Sequence, residues 1–459
     1  MQSDRTLGPM LRLVAPVLAM NVLHVLVEYV DTWLTGNYLE GDAPLAAINQ
    51  IRYVTWMVFN LFAVVSIGAT AMVARFVGAG DGRQANRVAH QAVLLGIVIA
   101  VVMMIVGHLL LEPFVRLLQL EGEAAELAVR YLRIILPVLP LIMLEEVGVA
   151  CLRGAGDTVS GLWAVAVVNL VNVVVSACLL LGLGPFSALG WDGLAIGTAC
   201  ARLTGGLIVV WLLVRGRAGL RLRLRLLRPI GDLVRRLLRI GVPGGADALS
   251  MILCHLWFVS IINQLGPRAA AAHAIAVSIE AMAYMSGAAF QIAAATMTGQ
   301  YLGAGQHDRA SRSVLLACLV GGGLMVSAGV LFYVAAETLA GFFLGESNAG
   351  VIPIAGQLLR IVSFAMPALA LTMILTGALR GAGDTRWPLA ITFVGFLGLR
   401  IPLAYLLAWQ SIEVPLLGSV AGWGLGVVGA WYAMVADVWV RCLLVVYRFA
   451  HGGWKRIEV

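Results

Sequence analysis

The chain has 459 residues, of which 61% are hydrophobic and only 12% charged, with a mean hydropathy of +0.94. Soluble domains carry about 25% charged residues, so this composition excludes a soluble globular fold and predicts a protein that crosses a membrane many times. The net charge of +7 comes almost wholly from arginine, Lys455 being the only lysine; the cytoplasmic bias of basic residues in membrane proteins accounts for it without a nucleic-acid partner.

A bilayer core takes about 20 apolar residues of helix. On that ruler twelve spans are predicted, near residues 10–35, 48–76, 90–111, 128–152, 160–183, 190–214, 237–265, 272–302, 313–336, 355–379, 387–409 and 418–447. The first run is long enough to be a spanning helix and no small-residue cleavage site follows it, so it is not read as a leader. Runs of this length are helical; barrel strands alternate over about ten residues. The even-numbered connections carry Arg75, Arg83, Arg87, Arg153, the arginines from Arg215 to Arg239, Arg309, Arg312, Arg380 and Arg386. The odd-numbered ones carry Glu40, Asp42, Glu112, Glu121, Glu123, Glu126, Asp192, Glu337, Glu346 and Glu413, which outnumber Arg116 and Arg268. Both termini are therefore expected on the cytoplasmic side of the cell membrane.

The chain is also written twice. Arg153-Gly154-Ala155-Gly156-Asp157-Thr158 recurs 227 positions on as Arg380-Gly381-Ala382-Gly383-Asp384-Thr385, each copy preceded by a leucine. Arg12 and Pro16 match Arg239 and Pro243 at the same spacing, and Leu132-Arg133-Ile134 matches Leu359-Arg360-Ile361. Such a period predicts two units of about 215 residues. With six helices each they enter the membrane in the same sense, as parallel repeats. The expected division is 1–214 and 237–449, joined by a linker at 215–236 and followed by a tail at 450–459. The linker alternates Arg221, Arg223 and Arg225 with leucines; it reads first as a connector that fixes topology, and also as a stretch able to meet anionic head groups.

The repeated word reads as a structural turn. Its glycines permit left-handed backbone, Asp157 or Thr158 can cap the following helix, and Arg153 suits the end of the preceding one. Arg380, Gly381, Gly383 and Asp384 take the same parts in the second copy.

Ionisable residues within spans are the candidates for function. The first span holds Glu28 and Asp31 near its outer end, with Pro16, a kink point, fifteen residues earlier. A carboxylate in an apolar cavity can exchange a proton near neutral pH; a solvated interfacial Asp31 is the alternative. Asn169, Asn172 and Ser176 share one face of the fifth span, and Thr198 follows in the sixth. They can ligate a cation beside Asp31, or tie helices together. Glu145, Glu146, Asp247 and Glu280 are further possible cavity acids. Arg400 and Asp437 are placed to pair. Six scattered cysteines and seven dispersed histidines form no disulfide frame, metal site or catalytic cluster.

The doubled Leu-Arg-Gly-Ala-Gly-Asp-Thr resembles the multidrug and toxic compound extrusion (MATE) transporters. So do Val30-Asp31-Thr32, the Gly78-Ala79-Gly80 and Gly303-Ala304-Gly305 loops, and Arg400-Ile401-Pro402-Leu403-Ala404-Tyr405. The likeness runs from about residue 8 to 450. It implies an all-α membrane protein, with twelve transmembrane helices in two six-helix pseudo-symmetric lobes forming a V around a central cavity. It also implies a monomeric secondary transporter of the bacterial inner membrane, not an enzyme, exporting a small-molecule drug or metabolite. No cofactor is implied beyond a coupling ion, H+ or Na+. In that resemblance Asp31 is the coupling acid and Pro16 its hinge, with Asn172 and Thr198 as partners. Ser176 stands where a second aspartate is expected, and Met251 where another branch has a glutamate; both departures favour H+.

Two other readings are weighed. A flippase for a lipid-linked glycan commonly has fourteen spans and a basic cavity, against twelve spans and mainly acidic midmembrane charges here. The Gly-x-Gly-Asp signature of an intramembrane aspartyl protease occurs three times, each at a predicted hairpin tip, where a turn explains it.

Overall fold

The computed structural model describes residues 4–117, 121–223, 225, 227–344, 350–414 and 418–457; Glu346 lies outside them. In chain order the helices are α1 (Asp4–Tyr38), α2 (Ala43–Gly78), α3 (Gly82–Leu117), α4 (Gly122–Ile135), α5 (Leu139–Gly154), α6 (Thr158–Leu181), α7 (Trp191–Val214) and α8 (Gly231–Gln264). There follow α9 (Pro267–Gly303), α10 (His307–Val334), α11 (Ala336–Leu344), α12 (Ile352–Ser363), α13 (Met366–Gly381), α14 (Arg386–Gly395), α15 (Ile401–Ala408) and α16 (Gly426–His451). Among the described residues, eleven spans are long and apolar enough to cross a membrane, two of them made of α4 with α5 and of α14 with α15. The pair α12 and α13, bent by 54°, makes a twelfth.

Prolines explain two of the breaks. Pro137 and Pro140 follow α4, where a 3-10 turn, Leu136–Val138, joins it to α5. Pro367, 227 positions after Pro140, opens α13 beside the bend. Proline removes the amide that would continue the helical ladder and crowds the preceding turn. Leu109, Leu319 and Val334 are among the most exposed side chains, an arrangement that suits lipid as the surrounding medium.

One expectation is corrected. Apolar length predicts the last span at 418–447, but α16 begins at Gly426. The residues before it form an antiparallel hairpin, β1 (Ser411–Val414) with β2 (Gly418–Ala421), in which Ile412 pairs with Val420. Gly424 and Gly426, both with positive φ, then turn the chain. Apolar composition alone does not separate such a glycine-broken stretch from the first turns of a helix.

The chain forms two compact units. The N-unit is Leu11–Gly245 with Gly303–Gly305. The C-unit is Ala246–Leu302 with Gln306 onward and the start of α1 up to Met10. The dividing point lies inside α8. The first part of α8 belongs to the N-unit because small residues let it lie against α2: a Cβ on Gly68 would meet the Leu237 carbonyl at 2.7 Å, and one on Gly245 would meet the Val64 backbone at 3.1 Å. Among the described residues the N-unit has one apolar core around Phe62, Met72, Met143 and Leu152 and another around Ile48, Leu127, Tyr131 and Trp191. The C-unit core is built on alanine with Phe258, Met366 and Trp431.

The two glycines of the repeated word do different work, which corrects the expectation that both relax the turn. Gly156 and Gly383 alone have positive φ, 91° and 87°. Gly154 and Gly381 are helical and allow close approach to the second helix of their own unit. A Cβ on Gly154 would meet the Thr70 carbonyl at 2.8 Å, and one on Gly381 the Ala295 backbone at 2.6 Å.

The aspartates diverge as well. Asp157 caps α6, its Oδ1 accepting from the Ser160 amide at 3.0 Å, and its Oδ2 also receives Arg217 Nε at 2.6 Å. Asp384 makes no cap; it accepts from Arg448 Nε at 2.8 Å. Burial pushes the Asp157 carboxyl up, but the hydrogen bonds from Ser160 and Arg217 outweigh it and hold the group below its usual range. That stabilisation is present above about pH 4 and disappears as pH falls through the lowered folded value. Arg217 is 53% exposed and Arg448 only 15%. Asp157→Asn, which keeps the cap, is therefore expected to cost about 0.5–1 kcal/mol. Asp384→Asn, which strands a buried guanidinium, is expected to cost about 2 kcal/mol. Thermal denaturation of both variants in detergent tests the order, and the deficit of Asp157→Asn should shrink towards pH 3.

Candidate functional site

α6 and α7 are brought together by a small-residue stripe. Cβ atoms on Gly193 and Gly197, one turn apart on α7, would fall 2.6 Å from the backbones of Leu179 and Ser176, so the two helices touch along their main chains. This contact draws the polar face of α6 against Thr198. Asn172 Nδ2 donates to Thr198 Oγ1 at 3.1 Å, the Tyr131 hydroxyl of α4 donates to the same oxygen at 3.0 Å, and Thr198 donates to the Leu194 carbonyl at 3.2 Å. Its hydrogen-bonding capacity is thereby filled. Asn169 has a different partner, donating to the Leu23 carbonyl of α1 at 2.6 Å. It ties α6 to α1 through main chain.

Asp31, half-buried on α1, lies within interaction distance of Asn172. Asp31 Oδ1, Asn172 Oδ1 and Ser176 Oγ are all buried, and none has a hydrogen-bond partner among the described residues. Buried polar atoms are nearly always paired. Two of these three oxygens only accept and the third can accept, so each has a lone pair to offer a proton or another small cation.

A second charged group lies in the same unit. Glu145 on α5 is 2% exposed and faces Arg202 on α7 with 3.8 Å between Oε2 and the guanidinium. Gly205 makes the room, since a Cβ there would sit 2.7 Å from the Glu145 carboxylate. Arg202 also lies over the Phe59 ring at 5.0 Å and acts electrostatically on Asp31 and Glu28. Glu146 is half-buried and Glu28 exposed.

Asp31, Asn172 and Thr198 thus come together, with Ser176 and Asn169 one turn to either side of Asn172 on α6. Pro16 is half-buried inside α1, which runs through it without a break. Asp247 and Glu280 lie in the other unit. Asp247 is 1% exposed and takes Arg380 of the repeated word at 2.6 Å; Glu280 is half-buried on α9. Sequence reasoning missed Tyr131 and Arg202. Arg202 was findable, one helical turn after Thr198 and so on its face; Tyr131 carried no such signal.

The sequence profile of the MatE family matches residues 16–178 and 246–406, more than half of the chain. Among curated relatives, the probable multidrug resistance protein NorM of Thermotoga maritima is 27% identical over 453 residues, 98% of this chain and 93% of its own length. The protein of the same name from Deinococcus radiodurans is 28% identical over 97% of this chain and 95% of its own. Two solved structures superpose with 22% identity. One is a MOP-superfamily transporter from Pyrococcus furiosus described as having a binding pocket of reversed polarity, with TM-score 0.87 over 98% of this chain and 96% of that one. The other is a multidrug resistance MATE transporter in an outward-facing conformation, with TM-score 0.86 over 98% and 96%.

Proposed function

The chain belongs to the MatE family, and from that premise we propose that it is a proton-coupled antiporter that exports small cationic or amphipathic molecules. Asp31 is the coupling acid. Asn172 and Ser176 complete its oxygen cluster, Thr198 and Asn169 hold α6 in register with α7 and α1, and Pro16 is the point about which α1 bends. Both termini face the cytoplasm. The observation that carries the reading is the set of three buried, unpartnered oxygens on Asp31, Asn172 and Ser176.

Asp31 is the one carboxylate beside the neutral oxygens of Asn172 and Ser176, and the nearby positive charge of Arg202 opposes a bound metal cation, which favours H+. A proton needs one oxygen, whereas Na+ must replace its hydration shell with several, and Ser176 offers no charge. Protonation removes the charge of Asp31 and so changes what the outer half of α1 can bury. A single charge moving through 100 mV supplies about 2.3 kcal/mol, before any pH gradient. In everted vesicles, ethidium uptake should follow an imposed pH gradient and collapse with a protonophore. A sodium gradient imposed alone should drive none. Uptake driven by sodium alone overturns the choice of ion; uptake under neither gradient overturns the antiporter.

A further inference from the structure

One face of α3 holds the described backbone of the connection between α7 and α8 at four points. Asn86 Oδ1 accepts from the Arg221 amide at 2.8 Å, His90 Nε2 from the Arg223 amide at 2.9 Å, and Gln91 Oε1 from the Ile230 amide at 2.8 Å. Gln91 Nε2 donates back to the Arg228 carbonyl at 2.8 Å. His90 and Gln91 are essentially inaccessible, at 1% and 0% exposure. His90 Nδ1 stands 2.7 Å from the Asn86 carbonyl. The hydrogen therefore sits on Nδ1 and leaves Nε2 free to accept, which fits the neutral ring.

These staples set the direction of the side chains. Leu220 is 1% exposed, and Leu222 and Leu227 pack on the N-unit core. Arg221, Arg223, Arg225 and Arg228 are exposed, and no ion pair is made by any of them among the described residues. With the backbone pinned at residues 221, 223, 228 and 230, the four exposed guanidinium groups leave one held stretch of chain rather than a free linker. The level of this stretch is marked by Trp211, half exposed near the end of α7, with the Arg215 guanidinium 4.1 Å from its ring centroid. Tryptophan and arginine in that pairing are the anchors of a membrane–water boundary.

We propose that the stapled row of Arg221, Arg223, Arg225 and Arg228 is a binding surface for the phosphate head groups of anionic phospholipids in the adjoining leaflet. Guanidinium forks match phosphate oxygens in pairs, and a linker already ordered by α3 loses little further freedom on binding. Each arginine near an anionic surface contributes about a five-fold gain in affinity, so loss of all four should weaken binding by roughly 600-fold.

The test uses full-length protein in nanodiscs of phosphatidylcholine alone or with phosphatidylglycerol, with retained lipid counted by native mass spectrometry. Wild type should keep phosphatidylglycerol in preference to phosphatidylcholine. The variant carrying R221Q, R223Q, R225Q and R228Q should lose that preference, while R235Q with R239Q, on exposed arginines of α8 outside the stapled stretch, should keep it. Gln91→Ala, which removes a staple but no charge, should weaken retention. Unchanged retention in the four-arginine variant overturns the proposal. So does displacement of the lipid by millimolar inorganic phosphate, which would make the row a site for the free anion.

Discussion

Asp31→Asn is expected to abolish coupled transport, lowering gradient-driven ethidium uptake by at least about 100-fold while the protein still folds and inserts. The substitution keeps size and shape and removes the ability to ionise. Asp31 Oδ1 has no hydrogen-bond partner among the described residues, so no bond is broken at that atom. Asn172 is within reach and carries both a donor and an acceptor, so it can meet an amide as readily as a carboxylate. The stability cost should therefore stay under about 1 kcal/mol, the range of ordinary substitutions without a cavity or a stranded charge. Transport is affected far more, because an amide cannot cycle between charged and neutral forms, and the difference between those forms is what would move α1. Uptake in vesicles, with expression and thermal stability measured on the same preparations, separates the two effects. Wild-type uptake by Asp31→Asn would remove Asp31 from the mechanism.

Much of this arrangement was legible in the chain. Twelve apolar runs and a word repeated at 227 residues are enough for two six-helix units, because span length follows from bilayer thickness and the period is read directly. The face carrying Asn169, Asn172 and Ser176 follows from helical spacing. What stayed hidden depends on packing. The same Gly-Ala-Gly-Asp occurs in both units, yet Asp157 caps a helix and Asp384 does not, and their arginine partners, Arg217 and Arg448, come from positions that the repeated word does not specify. Asp247 and Arg380 are 133 residues apart and nothing local joins them. Tyr131 reaches Thr198 only because α4 lies beside α7. Residues 418–425 failed for another reason, since hydropathy does not register the glycines that turn a hairpin into a helix start.

The 227-residue period also sets Asp31 of the N-unit against Phe258 of the C-unit, and there the polar cluster takes another form. A π-turn, Phe396–Arg400, links α14 to α15 and places Arg400 toward α16. Asp437, fully buried on α16, accepts from Arg400 Nε at 2.8 Å and from Arg441 Nε and its terminal nitrogen at 2.9 Å. The two guanidinium groups lie 4.4 and 4.6 Å from the Phe396 ring centroid, and both side chains are only 7% exposed. Gly395 leaves the space, since a Cβ there would sit 2.5 Å from the Arg441 side chain. Glu280 of α9 places a second carboxyl group within electrostatic reach of Arg400. Asp437→Asn should therefore cost about 3–5 kcal/mol, the usual penalty for breaking a buried pair, because two buried cations would then share one distant carboxylate. Arg441→Met should cost markedly less, since it removes the excess cation and leaves Arg400 with Asp437 as a balanced pair. Denaturation of the two variants in the same detergent decides the matter. An Asp437→Asn protein as stable as Arg441→Met would mean that packing on the alanine core, and not this charge network, holds α14, α15 and α16 together.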